Sequence, residues 1–282
     1  MAFARRESRT VIPSAARDLF TTKDTKEHEA MFEFPSCHLV SLVVCFFLMS
    51  IAENIARVRE RINDAARRAG RSPHEISLMA VSKTYGVERI REAYEAGVRL
   101  FGENRVQEFA GKSEALGGLA DAQFHLIGHL QTNKAAKAAE LFAAVDSVDS
   151  LRLAQKLNSS AQQSKKTLGI LIEINVGGEA AKSGLPPQSP ELEKILAAAP
   201  QLTNLEFRGL MTIPPFTEDP QNARPYFHKL RDLRDEIAAR KLAAMRMYVL
   251  SMGMSHDFEV AIEEGSTCVR VGTAIFGERS AM

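Results

Sequence analysis

Three groups of residues in this chain have types and spacings that could do chemistry. Lys83 closes an otherwise apolar run, LMAVSK. An amine carried by such a run into a mouth with apolar walls is desolvated, and desolvation lowers a lysine's pKa toward the neutral form that attacks an aldehyde to give a Schiff base. A lysine placed there can equally snorkel to the rim, stem packed and charge in water. The second group is split along the chain. Ser251, Gly253 and Ser255 precede a helical pattern beginning near Asp257, and Gly272-Thr273 precede another beginning at Ala274. Hydroxyls and backbone N–H groups at a helix start suit a phosphate, although two ordinary Gly/Ser turns would look the same. The third is Arg270, two residues before Gly272. Its guanidinium donates and never accepts, so it serves either a ligand or a core ion pair. Cys37, Cys45 and Cys268 show no CxxC spacing, which argues against a disulfide scaffold, a zinc site and a redox dithiol and leaves a reducing cytoplasm as the default.

These side chains need a scaffold that brings distant segments together, and the patterning from Met49 onward supplies one. An amphipathic helix at 51–70, with Ile55, Val58 and Ile62 on one side, is capped by Ser50 and has Glu53 in the capping-box position. Short apolar runs then follow at 76–82, 99–102, 124–128, 143–148, 168–175, 205–213, 248–251 and 268–272. Helical patterns alternate with them at 87–96, 105–116, 133–141, 151–162, 190–199, 222–240 and 258–264. Strands apolar on both faces with helices between them call for a parallel sheet. The pattern predicts an α/β fold, a single (β/α)8 TIM-type barrel with an extra N-terminal helix. An open doubly wound sheet is the alternative; it would normally show a glycine-rich fingerprint after the first strand, and none is present.

In such a barrel the carboxyl ends of the strands form one mouth, and the loops after strands seven and eight hold phosphate. The strand ends here read Ser82-Lys83-Thr84, Glu103-Asn104, Gly128-His129, Asp146 and Asp149, Asn175, Met211-Thr212, Ser251 to Ser255 and Arg270 to Thr273. A lysine on strand one opposite a phosphate cradle on strands seven and eight points to a phosphorylated aldehyde, pyridoxal 5′-phosphate. Strand alternation puts Arg270 on the face of Gly272, where it would meet the ring nitrogen. An arginine leaves that nitrogen neutral and the ring a weak electron sink.

Composition is that of a soluble globular protein, 45% hydrophobic and 25% charged, and Lys+Arg at 36 against Asp+Glu at 35 gives no basic field for nucleic acid. The charged segment 224–240 interleaves acids and bases at helical spacing, as a solvated barrel helix does. Residues 1–48 lack sustained periodicity and end in an apolar run at 39–49. As a helix that run spans about 16 Å, too short for a bilayer core of about 30 Å, and its long mixed-charge lead is not a secretory n-region. No stable membrane span is expected. The segment 1–48 is read as an upstream extension from a misassigned start, or else a disordered or weakly anchoring tail, with Met49 as the natural start and 49–282 as the barrel domain.

The segments AVSKT (80–84), AYEAG (93–97), FGENRVQE (101–108), HLIGHLQTNK (125–134), KSG (182–184), RGLM (208–211), LSMGMS (250–255) and GSTCVRVGTAIFG (265–277) together resemble the pyridoxal phosphate homeostasis protein family, relatives of the alanine racemase N-terminal barrel. The resemblance runs from Met49 to Arg279. It implies that Lys83 is the Schiff-base lysine, that Arg270 faces the pyridine nitrogen, and that Ser251, Gly272 and Thr273 hold the phosphate, with Asn104 beside the ring. Met211 and His129 are weaker assignments. Lys182 matches a second family lysine proposed to handle cofactor outside the main site. Tyr85 stands where the family often has a further lysine. The implied function is a cytoplasmic, monomeric protein that holds pyridoxal phosphate and regulates its level or its delivery to pyridoxal-dependent apoenzymes, with no metal and no dedicated turnover. The alternative is an amino-acid racemase on the same barrel. Racemisation needs a base on each face of the cofactor, one of them from an extra C-terminal domain, and the sequence ends shortly after Thr273.

Overall fold

The structure is a computed structural model that describes residues 50–179 and 182–278. The expectations for residues 1–48 lie outside the described residues. Eight parallel strands close into a barrel in sequence order: β1 (Ser77–Val81), β2 (Leu100–Glu103), β3 (Gln123–Leu126), β4 (Ala144–Val148), β5 (Leu168–Glu173), β6 (Leu205–Met211), β7 (Met245–Met254) and β8 (Cys268–Val271). β8 returns to β1 in register, with Met79 opposite Arg270. The helices that follow the strands are α2 (Val87–Glu95), α3 (Val106–Leu116), α4 (Ala135–Leu141), α5 (Leu151–Gln163), α6 (Pro190–Ala198), α7 (Arg224–Ala239), α8 (Phe258–Glu263) and α9 (Thr273–Phe276). The predicted barrel and its order of elements are therefore present, and the open sheet is not.

Each strand is buried on both faces because helices cover the outside while side chains fill the inside. The outer layer is the larger core, with Phe101, Phe142, Phe207, Phe227 and Phe258 packed between strands and helices. The inner core is small: Met79, Val81, Ile127 and Cys268, with Leu100 and Val249 against them. Buried polar side chains, including Asp146, Ser251 and Arg270, share the interior with them, and function in such a barrel lies at the carboxyl-terminal mouth.

The N-terminal helix α1 (Ile51–Arg68) has the expected capping box: the Glu53 N–H donates to Ser50 Oγ at 3.2 Å, and the Ser50 N–H donates to Glu53 Oε2 at 2.8 Å. Its apolar stripe packs against α2, α8 and α9, and Asn54 Nδ2 donates to the Ile275 carbonyl at 3.0 Å. Among the described residues no helix is long and apolar enough to cross a membrane.

The clearest departure from the predicted elements is β7. The pattern suggests a short strand ending at Ser251, yet the strand runs on through Met254. Exposed Arg246 and Tyr248 and a left-handed Met247 (φ 48°) blur its start. Its end reads as a loop because Gly253 takes a φ of 93° there, and a Cβ on Gly253 would come within 2.6 Å of the Ala261 side chain.

Candidate functional site

The carboxyl-terminal mouth holds a cavity of about 240 Å³ lined by Val81, Lys83, Asn104, Ile127, Gly128, His129, Glu173, Ser183, Ile213, Met254 and Arg270. The barrel thus brings together Lys83 from the end of β1, Asn104 from the end of β2 and Arg270 from β8. The volume lies just below the range of about 300–1,000 Å³ usual for drug-sized ligands and suits a monocyclic one. A larger cavity of about 470 Å³ opens at the opposite end, among Ser77, Leu100, Gln123, His125, Asp146 and Cys268. It touches neither Lys83 nor Arg270. Burial pushes the Cys268 thiol up to about 12, so the sulfur there is no nucleophile at neutral pH.

Arg270 is 2% exposed. Its Nη1 donates to Ser251 Oγ at 2.7 Å and its Nη2 to the Thr212 carbonyl at 2.7 Å. Among the described residues no carboxylate lies within 4.0 Å of it, so the core ion pair that its position would also allow is not formed. Burial pulls the guanidinium below its ordinary value, while the more distant Asp146, Asp257 and Glu173 oppose that shift. A buried cation held only by neutral acceptors is expensive, and such sites are kept where a ligand needs the donor.

Ser251 departs from its expected place. It is fully buried within β7 with its hydroxyl on Arg270, because the strand continues past it and the side chain points into the barrel. The hydroxyl at the expected cradle belongs to Ser255, whose Oγ accepts from the Gly272 N–H at 3.3 Å and the Ala274 N–H at 3.4 Å. Both bonds are long, so these amides can turn to a stronger anionic acceptor. Thr273 is exposed beside them as the first residue of α9. Met211 is fully buried at the end of β6 and does not line the cavity. His129 lines it, with 57% of its side chain exposed and Nδ1 3.2 Å from Asp149.

Lys182 stands outside the cavity, paired with Glu179 at 2.6 Å and donating to the Pro214 carbonyl at 3.3 Å. Its neighbour Ser183 lines the cavity and donates to Glu173 Oε1 at 3.1 Å. Tyr85 supplies no amine; its hydroxyl donates to the Gly277 carbonyl at 2.8 Å and its ring stacks on Phe276 at 4.6 Å. Asp146 faces His125 in the lower half of the barrel, and Asn175 closes a local turn by accepting from the Gly178 N–H at 3.0 Å and donating to the Glu179 carbonyl at 2.8 Å.

Glu173 is the cavity residue that sequence reading misses. It ends β5, and its Oε2 is buried with no hydrogen-bond partner among the described residues. Burial pushes its carboxyl up, Ser183 and Arg270 opposing. Inside the apolar run LGILIE it looks like a strand end; an acid closing such a run, as Lys83 closes LMAVSK, is the signal that could have marked it.

Residues 50–280 match the family model for the alanine racemase N-terminal domain. A pyridoxal phosphate homeostasis protein of Aquifex aeolicus is 47% identical over 231 residues, 82% of this chain and 99% of that protein. The protein of that name from Escherichia coli strain K12 is 44% identical, covering 81% of this chain and 97% of its own. Among solved structures, PipY of Synechococcus elongatus with pyridoxal phosphate bound superposes with a TM-score of 0.68 at 36% identity, over 81% of this chain and all of that one.

Proposed function

Since the chain belongs to the pyridoxal phosphate homeostasis protein family, we propose that it binds pyridoxal 5′-phosphate at the carboxyl-terminal mouth of its barrel and acts in intracellular homeostasis of that cofactor, without dedicated turnover of a substrate. One observation carries this reading: Lys83 shares a small cavity with an arginine that is buried and, among the described residues, has no carboxylate within ion-pair distance. The donor set fits the cofactor. A guanidinium suits an unprotonated ring nitrogen, the amides of Gly272 and Ala274 gathered on Ser255 suit a phosphate, and an amine at the end of β1 suits an aldehyde. Bound there, pyridoxal phosphate supplies an electrophilic carbon and a conjugated ring.

The chain's own residues then set what that ring can do. Arg270 can donate to the ring nitrogen but cannot pass it a proton, which keeps the ring a poor electron sink. Ser251 and the Thr212 carbonyl fix the plane of the guanidinium. Asn104 and Ile127 bound the cavity from β2 and β3, Lys83 is the covalent anchor, and Gly272, Thr273 and Ser255 hold the phosphate. Lys182, one residue from the cavity-lining Ser183, is assigned a secondary role in handling the cofactor. The protein works as a monomer in the cytoplasm and passes cofactor to pyridoxal-dependent apoenzymes.

A racemase needs a second base facing the substrate carbon. Among the described residues, the carboxyl of Glu173 and the imidazole of His129 line the cavity with Lys83. Glu173 is buried with its Oε1 accepting from Ser183, and His129 is engaged with Asp149. The test is to incubate the cofactor-loaded protein with D- and with L-alanine and follow chirality, while a parallel sample is mixed with a pyridoxal-dependent apoenzyme. No sustained inversion together with activation of the apoenzyme is expected. Sustained inversion would replace this reading with the racemase.

A further inference from the structure

The turn that carries Lys83 is gripped by three charged side chains that cofactor binding itself leaves without a role. Ser82 Oγ donates to Glu103 Oε1 at 2.7 Å. The Thr84 N–H donates to Glu108 Oε1 at 2.6 Å, and the Tyr85 carbonyl accepts from Lys112 Nζ at 3.2 Å. The three anchors are themselves joined. Lys112 Nζ lies 3.2 and 3.4 Å from the two Glu103 oxygens and 3.0 Å from Glu108 Oε1. One ammonium thus ties together the groups that hold the residue before Lys83 and the two residues after it.

The grip is firm by two independent signs. Glu103 has no exposed side-chain surface and Lys112 only 12%, so the low local dielectric strengthens the Ser82–Glu103 and Lys112–Glu103 contacts and penalises breaking them. Thr84 sits at φ 68°, a left-handed conformation that a β-branched residue adopts only when its surroundings impose it. The Glu108 carboxylate accepts from its N–H, and the Tyr85 N–H donates to the Ser82 carbonyl at 3.1 Å across the same turn. Glu103 ends β2, while Glu108 and Lys112 are one turn apart on α3, so the second βα unit fixes the backbone around the lysine of the first. Burial raises the Glu103 carboxyl, whereas at Glu108 the Thr84 N–H and Lys112 outweigh burial and hold it low.

We infer that Glu103, Glu108 and Lys112 are positioning residues that aim the Lys83 amine into the mouth of the barrel, and that they set the affinity of the chain for its cofactor. This rests on Lys83 being the cofactor lysine. Small misplacements of a reacting group cost up to about a hundredfold, so the expected loss is large although none of the three lines the cavity.

The test titrates pyridoxal phosphate into wild type, K83A, K112M, E108A and E108Q, following the visible absorbance, and records the melting temperature of each unliganded protein. K112M leaves two carboxylates uncompensated and is the severe variant. E108A removes the acceptor for the Thr84 N–H but leaves the Lys112–Glu103 pair, so it decides the matter if K112M does not fold. Affinity lower by about tenfold or more in E108A, restored toward wild type in E108Q, whose amide oxygen can still accept, is the expected result. Wild-type affinity in E108A, with or without a fall in melting temperature, would overturn the inference and leave the network as packing alone. A wild type that gives no Lys83-dependent absorbance would instead remove the cofactor reading on which the inference stands.

Discussion

Replacing Arg270 with methionine should damage binding far more than folding. The guanidinium makes two bonds, to Ser251 Oγ and to the Thr212 carbonyl, both at 2.7 Å. Hydrogen bonds to a charged group contribute about 1.5–3 kcal/mol each, so their loss and the two stranded acceptors argue for a large penalty. Against this, the wild type keeps an arginine at 2% exposure with no carboxylate of the described residues within 4.0 Å, and releasing a poorly compensated buried charge returns several kcal/mol. The terms nearly cancel, and the unliganded variant should lie within about 2 kcal/mol of wild type by urea denaturation. No such offset exists for the ligand. Losing one charge-assisted bond to the ring nitrogen should weaken pyridoxal phosphate binding by about 10- to 150-fold, read by absorbance titration. A variant that loses more than about 4 kcal/mol of stability yet binds as wild type would show that Arg270 serves the fold and refute the reasoning.

Other outcomes follow from the same structure. Burial raises the Glu173 carboxyl above its usual 4.5, so above that pH the unfolded chain ionises while the folded one keeps its proton, and stability falls as pH rises toward the folded value. E173Q removes the effect and should gain on wild type as the pH rises above about 4.5; denaturation curves with a constant difference as the pH rises would contradict it. Gly209→Ala would drive a Cβ into the Val249 carbonyl oxygen across β6 and β7, and backbone cannot yield there. It should cost more than about 3 kcal/mol, and a melting temperature equal to wild type would contradict the tight pairing. Thr84→Gly relieves the φ of 68° and should raise the stability of the unliganded chain by about 1 kcal/mol while loosening Lys83; a fall in stability would show that the methyl packing outweighs the strain.

What sequence could and could not reveal divides along physical lines. Strands such as LGILIE and AVDSV are buried on both faces, and a doubly buried strand announces itself as a short apolar run whatever its neighbours. The amphipathic stripe of α1 and its capping box are likewise local, and both were legible. Lys83 and Asn104 flank such runs and Arg270 lies within one, and the topology carries all three to one cavity. Ser251 and Ser255 were not distinguished, since that depends on where β7 stops, and a strand interrupted by a left-handed glycine resembles a loop. Glu103 is legible as a strand end at the mouth, whereas its link to Glu108 and Lys112 is not, for a different reason. Charged residues on helices are usually solvated, and only the barrel's closure reveals that these three meet beneath one turn.

The central claim is that Lys83 anchors pyridoxal phosphate beside Arg270. The most direct measurement is to incubate the full chain and K83A with pyridoxal phosphate, reduce each with borohydride, and map the added mass by peptide sequencing. A phosphopyridoxyl group on Lys83 in the wild type and nowhere in K83A is the predicted result. Modification at another lysine, or equal labelling of both proteins, would contradict the account.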